Sequence, residues 1–547
     1  MKRLTALILA ALMLFALAAC SQPTASPPAS TAPATTAPAT TPPASTAPDS
    51  TPTSSTGSGV DPTTLVPADA GSLPPVTFDW YIGQAPLDGD QHVNDAVNAY
   101  IKPLINATVN MHFLATADFA QKVPVMLAAG QDCGIVNFGN QAGLDYMTQV
   151  NQGSFLPLED LLNNDAPQTK ALFPQSIWDC MSTNGHVYGI PSLKDNCYIM
   201  SMVYNADMAD KLGLDMSTVQ FKSFADIEPF FDQVMAKRTE VYGKLPEPLC
   251  GGIGMEIPIW FALESFIGGN GLAVCNVPGI DNMAGYDNNT VFNMYATPEC
   301  KAAYESMQRM VSAGILAADP VNIPNDYYHD GNMFAFLGWG YAYMPPNLYG
   351  PTFTTKQVMA QQIWTDTGNY FTCGNAISAN SANADREMMF LNLVNNDPTL
   401  ATMLRFGVEG TDYTLDTDGS IVPNTDANYN YWYGAPFGNL LVVNAPPSLA
   451  GPDSAMQKGI EQANASALQS AHMGFVLDPT PIANEIAACN NVIQQYQPAL
   501  VNGQLGSTAE VDASIDAFNA ALKANGEDKI ITEVQRQIDA WNAARGN

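Results

Sequence analysis

The pattern of apolar and polar positions predicts an alternating order of strands and helices from residue 76 onward. Continuous apolar runs indicate buried strands, whereas apolar residues at every third or fourth position indicate helices with one buried face. Strand, helix, strand, helix, strand is the order of a parallel sheet with right-handed crossovers. The predicted elements are strands at Val76–Tyr81, Val109–Phe113 and Gly134–Phe138, and helices at Asp90–Ile105 and Phe119–Ala129.

Residues at the ends of these strands are candidates for ligand binding. In open sheets of this kind, ligands bind beyond the carboxyl ends of the strands. Trp80 and Tyr81 end the first predicted strand, Gln84 follows it, and Asn137 lies at the end of the third. Aromatic rings offer an apolar contact surface, and amide side chains hydrogen-bond to polar groups of a ligand. We therefore predict that these four side chains line a ligand site.

The last part of the chain has the spacing of long helices. After Gly474, apolar positions predict a helix at Pro481–Tyr496 and a second at Val511–Trp541, and we expect both to pack on the preceding globular body. The acidic run at residues 416–420 lacks the alternating oxygen ligands and the final glutamate of a calcium loop. It is predicted to be the turn of a hairpin.

The amino-terminal residues predict a lipid anchor. A charged start is followed by a short apolar stretch that ends at Ala19, and Cys20 is the next residue. This is the pattern of a lipoprotein signal peptide at residues 1–19, after which the Cys20 thiol takes a diacylglycerol group. Residues 20–75 are dominated by Ser, Thr, Pro and Ala, so we expect them to form an unfolded tether. The protein should face the outside of the cell membrane, or the periplasm if the host has an outer membrane.

Charge and motif content exclude several classes of function. The chain has 52 acidic and 21 basic residues, a net charge of −31, so its surface would repel nucleic acids. No phosphate-binding loop, nucleophile elbow or zinc motif is present, so neither a catalytic site nor a metal nor a cofactor is predicted. The eight cysteines other than Cys20 leave the disulfide state open, with Cys180–Cys197 and Cys250–Cys275 as the pairs to test.

Six segments together resemble one family, the extracellular solute-binding proteins of ABC importers, in particular the sugar-binding, maltose-binding-protein type. Their order and spacing carry the resemblance, and the last two resemble a lipoprotein branch with a helical C-terminal domain. The segments are Gly153–Leu161, Gly185–Pro191, Val203–Asp207 with Lys211–Leu214, Gly331–Phe336 with Trp339, Phe406–Tyr413 and Gly474–Pro479.

The resemblance implies a type II periplasmic-binding-protein-like α/β fold, with two lobes that are each a sheet flanked by helices and are joined by hinges. One lobe is expected at residues 76–190 plus about 371–440. The other is expected at residues 191–370 plus about 475–547, including the C-terminal helices. The implied function is capture of a carbohydrate, an oligosaccharide by expectation, and its delivery to ABC permease subunits by a monomeric, membrane-anchored receptor. Two alternatives stay open: a receptor for peptides or other nonsugar solutes, and a surface glycoside hydrolase.

Further binding candidates follow from residue type and position. Trp339 and Trp432 stand among glycines and tyrosines, as loop platforms do, and Tyr341 is close to the first of them. Trp260 lies beside a proline-containing segment, and Asp195 follows the predicted entry into the second lobe. We predict that these five side chains bind ligand together with the four strand-end residues, whereas Trp178 and Trp541 have the helical spacing of core residues.

Overall fold

The computed structural model describes residues 60–547 apart from 220–223, 243–249, 252–256, 318–332, 341, 343–352, 361, 418–420, 425, 432–433, 444–454 and 546–547. Cys20 and the signal segment therefore lie outside the described residues. The strands are β1 (Val76–Ile82), β2 (Ala107–Phe113), β3 (Ile135–Phe138), β4 (Ser182–Thr183), β5 (His186–Val187), β6 (Ile190–Pro191), β7 (Met200–Asn205), β8 (Cys250–Gly251), β9 (Leu263–Ser265), β10 (Val274–Asn276), β11 (Ala335–Trp339), β12 (Thr355–Met359), β13 (Trp364–Thr365), β14 (Gly374–Ile377), β15 (Tyr413–Leu415), β16 (Ile421–Pro423) and β17 (Leu468–Gln469). The α-helices are α1 (Asp90–Ile105), α2 (Thr116–Ala128), α3 (Tyr146–Asn151), α4 (Glu159–Asn164), α5 (Pro167–Ala171), α6 (Gln175–Cys180), α7 (Ala206–Lys211), α8 (Phe224–Tyr242), α9 (Ile257–Trp260), α10 (Pro298–Ser312), α11 (Thr367–Tyr370), α12 (Ala384–Asn396), α13 (Pro398–Phe406), α14 (Ala455–Ser466), α15 (Ala483–Val501), α16 (Thr508–Ala524) and α17 (Glu527–Arg545).

The first sheet has the strand order β2-β1-β3-β14-β6. Strand β1 runs parallel to β2 and β3, which confirms the predicted parallel unit. Helix α1 has the predicted bounds, because its buried residues Val93, Val97 and Ile101 recur at helical spacing. Strand β14 comes from a distant part of the chain and lies antiparallel to β3. The sheet is therefore mixed.

The second sheet has the order β12-β7-β11-β8. Its central strand β7 is antiparallel to both β11 and β12, and all six of its residues are buried. A strand that is buried on both faces reads as a continuous apolar run, as Met200–Tyr204 largely does.

Two large hydrophobic cores surround the two sheets. The first is built from residues of the segments 65–190 and 376–437, and the second from residues of the segments 200–360 and 475–538. The chain thus contributes first to the first core and then to most of the second core. It then returns to the first core and ends with helices that belong to the second. These stretches resemble the two predicted lobes, whose bounds stay a prediction. The first core also contains Leu65 and Ala70, so the prediction of an unfolded tether over residues 20–75 is wrong for residues 60–75, whose apolar side chains pack on this core.

The C-terminal region consists of three helices rather than the predicted two. The predicted second helix divides into α16 and α17 at Gly526, which has a φ of +104° that side chains with a Cβ rarely adopt. A Cβ at this position would also lie 2.6 Å from Cγ of Glu485. Phe518 and Ile530 are fully buried in the second core, so the helices pack on the body as expected.

The hairpin prediction is confirmed, since β15 pairs antiparallel with β16. Residues 418–420 between the two strands are not among the described residues. Among the described helices, none combines the length and the apolar character that a membrane span requires.

Candidate functional site

Three segments pass between the two sheets and lie side by side. The first, residues 192–199, joins β6 to β7, the second, 362–373, precedes β14, and the third, 455–474, precedes the C-terminal helices. Tyr198 N donates to the carbonyl of Trp364 at 2.7 Å, and β13 pairs in parallel with β17. We call them the first, second and third crossing segments. Side chains from all three are brought together although they are far apart in sequence.

An exposed tryptophan stands where these segments meet the second sheet. Trp339 ends β11 and is 43% exposed, a large fraction for an aromatic ring. Its ring centroid lies 5.9 Å from that of Tyr198, which in turn lies 4.4 Å from the buried ring of Trp364. Met359, at the end of β12, is also exposed. The exposed ring thus rests on an aromatic base that the core holds in place.

A buried carboxyl group supports this aromatic base. The Tyr198 hydroxyl donates to Oδ1 of Asp366 at 3.1 Å, and the backbone N–H of Asn369 donates to the same oxygen at 3.0 Å. Burial, together with the nearby carboxylate of Glu264, raises the pKa of Asp366 to about 7. Near neutral pH, Asp366 is therefore partly protonated, and its Oδ1 accepts the hydrogen bond that orients Tyr198.

The nearby carboxylate of Glu264 belongs to a buried polar network. Oε2 of Glu264 accepts a hydrogen bond from Ser470 at 2.5 Å and lies 2.7 Å from Nδ1 of His472. His472 Nε2 lies 3.2 Å from the side-chain oxygen of Asn289, and the His472 side chain is fully buried. The third crossing segment is thereby fastened to β9.

A second carboxyl group lies in a turn of the first crossing segment. Lys194 N donates to the side-chain oxygen of Asn196 at 3.0 Å, and Asn196 N donates back to the carbonyl of Lys194 at 2.9 Å. Asp195, between them, is half-buried, and burial raises its pKa, an effect that the charge of Lys194 partly offsets. Lys194 is itself buried, with Nζ 3.5 Å from Oδ1 of Asn369.

These contacts connect one group of side chains, which we call the hinge cluster. It contains an aromatic surface, two carboxyl groups, a lysine and an amide, which are connected to one another by successive contacts. Stacking surface and hydrogen-bonding groups for hydroxyls are the two components that a sugar site needs. The hinge cluster consists of Lys194, Asp195, Tyr198, Trp339, Asp366 and Asn369.

Comparison with known proteins identifies relatives over most of the chain. A carbohydrate ABC transporter substrate-binding protein of Streptococcus pneumoniae serotype 4 (strain ATCC BAA-334 / TIGR4) is 24% identical over 500 residues, which is 87% of this chain and 92% of that protein. The crystal structure of the N-glycan transport solute binding protein NgtS from Streptococcus pneumoniae superposes with a TM-score of 0.70 at 20% identity, covering 85% of this chain and 99% of NgtS. An extracellular solute-binding protein from Bifidobacterium longum subsp. infantis superposes with a TM-score of 0.53 at 15% identity, covering 85% and 98%.

This chain has the fold of the type II solute-binding proteins. NgtS has also been crystallised in complex with Man1GlcNAc and with Man5GlcNAc. A family profile described as a domain of unknown function, DUF3502, matches residues 471–543, the C-terminal helices of this solute-binding fold and the segment that leads into them.

The solute-binding fold places two of the predicted ligand residues in its first core. Trp80 is fully buried, its ring packs against Phe390 at 5.4 Å, and its Nε1 donates to Asn375 Oδ1 at 3.0 Å. Asn137 is also fully buried, and its amide accepts from Gly83 N and donates to Asn375 Oδ1. Both side chains are fully used inside the lobe. Their assignment to a ligand surface was wrong in this conformation, because a strand end that is covered by a returning segment is not open.

A third predicted residue is also buried. Trp260, in α9, is 3% exposed and packs against Phe224 at 5.1 Å, so its assignment as a platform was wrong because its helix turns the ring into the second core. Tyr81 stacks on His112 with ring centroids 4.6 Å apart and is half-buried, as is Gln84. Tyr341 and Trp432 lie outside the described residues. Of the nine predicted ligand residues, Trp339 and Asp195 are the two in the hinge cluster.

Sequence reasoning missed four residues of the cluster, namely Lys194, Tyr198, Asp366 and Asn369. None belongs to a motif, and each lies in an ordinary loop or short helix of the sequence. Their common property is position, because each lies on a segment that crosses between the two sheets. The predicted hinges near residues 191 and 371 were the signal that could have found them. Binding residues should have been sought in the second crossing segment as well as in the first.

The described cysteines are buried free thiols, including Cys180, Cys197 and Cys275. Neither of the two disulfides under consideration is formed in the described residues, and the side chain of Cys250 is not among them. Burial raises the pKa of Cys197 to about 12, so this thiol stays protonated at neutral pH. Within the described ranges, no cluster of side chains has the composition of a metal site.

Proposed function

We propose that this protein binds a carbohydrate at the hinge cluster and delivers it to the permease of an ABC importer. The exposed ring of Trp339, which packs on Tyr198, whose hydroxyl donates to Asp366, is the observation that carries this proposal. The curated relative is a carbohydrate ABC transporter substrate-binding protein and NgtS transports N-glycans, which supports the same class of ligand. An oligosaccharide related to Man1GlcNAc is the first ligand to try.

The ring and the carboxyl groups would contact different parts of the sugar. A sugar face of C–H groups loses water when it stacks on an indole ring, and the ring faces outward at Trp339. The hydroxyls at the sugar edge donate hydrogen bonds, for which Asp195 provides an acceptor. Ligand between two lobes would favour the closed conformation, because it gains contacts with both.

The test is calorimetric titration of the purified protein, without its signal segment, with a panel of mannose–N-acetylglucosamine oligosaccharides, other neutral oligosaccharides and peptides. We expect an oligosaccharide to bind and to raise the melting temperature, as linkage requires. Trp339→Ala should weaken binding by roughly 1–3 kcal/mol, the usual contribution of an aromatic anchor.

Tyr286→Ala is the matched control, because Tyr286 is another exposed aromatic residue, 41% exposed and stacked on Phe292. It should leave the affinity unchanged. Equal losses for the two variants would refute the role of Trp339. Binding of peptides alone would favour a nonsugar receptor, and release of reducing ends by the purified protein would favour a glycoside hydrolase.

We also propose the cellular setting. The relatives serve transport, and a receptor for an importer must work outside the cytoplasmic membrane. Lipidation of Cys20 would hold the body at that surface, and residues 21–59 would let it reach the permease. The predicted state is a monomer without a cofactor.

A further inference from the structure

One amide side chain of the third crossing segment holds the turn that carries Asp195. Asn464 lies near the end of α14, and its Oδ1 accepts a hydrogen bond from Asn196 N at 2.8 Å. Its Nδ2 donates to the carbonyl of Lys194 at 2.7 Å. Both bonds are short, and together they satisfy the acceptor and one donor of the amide.

The two bonds act on the two peptide units on either side of Asp195. The Lys194 carbonyl belongs to the peptide that precedes the Asp195 Cα, and the Asn196 N–H belongs to the peptide that follows it. When both peptide planes are held, φ and ψ of Asp195 are held, and with them the direction of its Cα–Cβ bond. Asn464 therefore fixes the direction in which the Asp195 side chain leaves the backbone.

The carboxyl group itself is left available. Apart from its own backbone N–H, Asp195 has no hydrogen-bond partner for its side chain among the described residues, although it is half-buried. A half-buried carboxylate without donors loses hydration free energy that a ligand hydroxyl would restore. The peptide units on both sides of Asp195 are thus hydrogen-bonded, whereas its carboxylate has no partner outside its own residue in the described part of the chain.

We propose that Asn464 is a positioning residue for ligand recognition, which acts by aiming the Asp195 carboxylate at ligand hydroxyls. The inference rests on the proposed function and adds α14 to the machinery of binding. It also states what the ligand must present at this point, namely a hydrogen-bond donor such as a sugar hydroxyl.

The experiment is a double-mutant cycle on the full mature chain, with the tightest oligosaccharide of the panel as the probe. Asn464→Ala should weaken binding by about tenfold, and Asp195→Asn by at least as much, since each loses one charge-assisted hydrogen bond to ligand. In the Asp195→Asn background, Asn464→Ala should cause little further loss, because its effect passes through the carboxylate.

Asn519→Ala is the matched control for a structural amide. Asn519, in α16, donates to the carbonyl of Tyr295 at 2.9 Å and accepts from Asn293, so it also clamps a helix to a distant turn. It should lower the melting temperature and leave the affinity unchanged. Asn464→Asp keeps the acceptor for Asn196 N but sets a carboxylate oxygen against the Lys194 carbonyl, so it should weaken binding at least as much as Asn464→Ala. It is the measurement to use if the alanine variant does not fold.

Additive losses in the cycle would overturn the inference, and so would an unchanged affinity in Asn464→Ala or Asn464→Asp. In both cases, binding of sugar by the wild type would leave the proposed function standing. If the wild type and the Trp339 and Tyr286 variants are all folded and the wild type binds no carbohydrate, the proposed function is refuted. The inference is then refuted with it, because it rests on that function.

Discussion

The raised pKa of Asp366 predicts that this residue makes the protein less stable as the pH rises toward neutrality. The change to test is Asp366→Asn, which removes the ionisable group. Because Oδ1 accepts the hydrogen bonds from Tyr198 and from Asn369 N, an asparagine oxygen in the same place can accept both. The substitution therefore changes the titration while it keeps the contacts that hold the aromatic base.

The sign follows from the two pKa values. In the unfolded chain Asp366 ionises near 3.8, and in the folded protein its pKa is about 7, so between these values the folded state holds a proton that the unfolded state has lost. The contribution to stability is complete below the unfolded value, falls as the pH rises through this window, and is lost above about pH 7. A difference of ~3 pKa units corresponds to at most about 4 kcal/mol at 1.36 kcal/mol per unit.

The assay is urea unfolding of wild type and variant at several pH values from 5 to 8. The variant should gain stability relative to wild type as the pH rises, with the largest gain above pH 7. Glu387→Gln is the control, because Glu387 is buried in the first core and burial raises its pKa to about 8. That variant should show the same trend with its midpoint shifted upward. Parallel curves for wild type and Asp366→Asn would refute the assignment of a protonated Asp366.

Two other predictions concern the anchor and the C-terminal helices. Cys20→Ala should release the protein from the membrane fraction or leave it as a precursor, whereas Cys133→Ala, at a buried thiol, should fractionate like wild type. A Cys20 variant that stays firmly bound would contradict lipid anchoring. Phe518→Ala should cost ~3–5 kcal/mol in unfolding experiments, because the fully buried ring packs on Tyr295 at 4.8 Å and on Tyr496 at 5.4 Å. A loss below ~1 kcal/mol would show that the C-terminal helices do not share the second core.

Several failures of the sequence prediction have one physical origin. Trp80 was expected at an open strand end, yet its indole N–H is bonded to Asn375, 295 residues later in the chain. Strand β14, which carries Asn375, adds to the first sheet only after the chain has built most of the second core. Periodicity within a segment carries no information about which distant segment will cover it, so a strand-end residue cannot be assigned to a surface from its own neighbours.

The sequence by itself determined the elements whose cause is local. Four features follow from the spacing of apolar residues and from turn residues: the bounds of α1, the parallel pairing of β1 with β2 and β3, the hairpin of β15 and β16, and the helical C-terminal region. The tertiary structure alone decided which of the candidate side chains meet. Tyr198 and Asp366 are 168 residues apart, and Asn196 and Asn464 are 268 apart, and they come together because three crossing segments pack side by side. That arrangement depends on how the two cores pack around the crossing segments. Such packing involves contacts between distant parts of the chain, which local residue patterns do not encode.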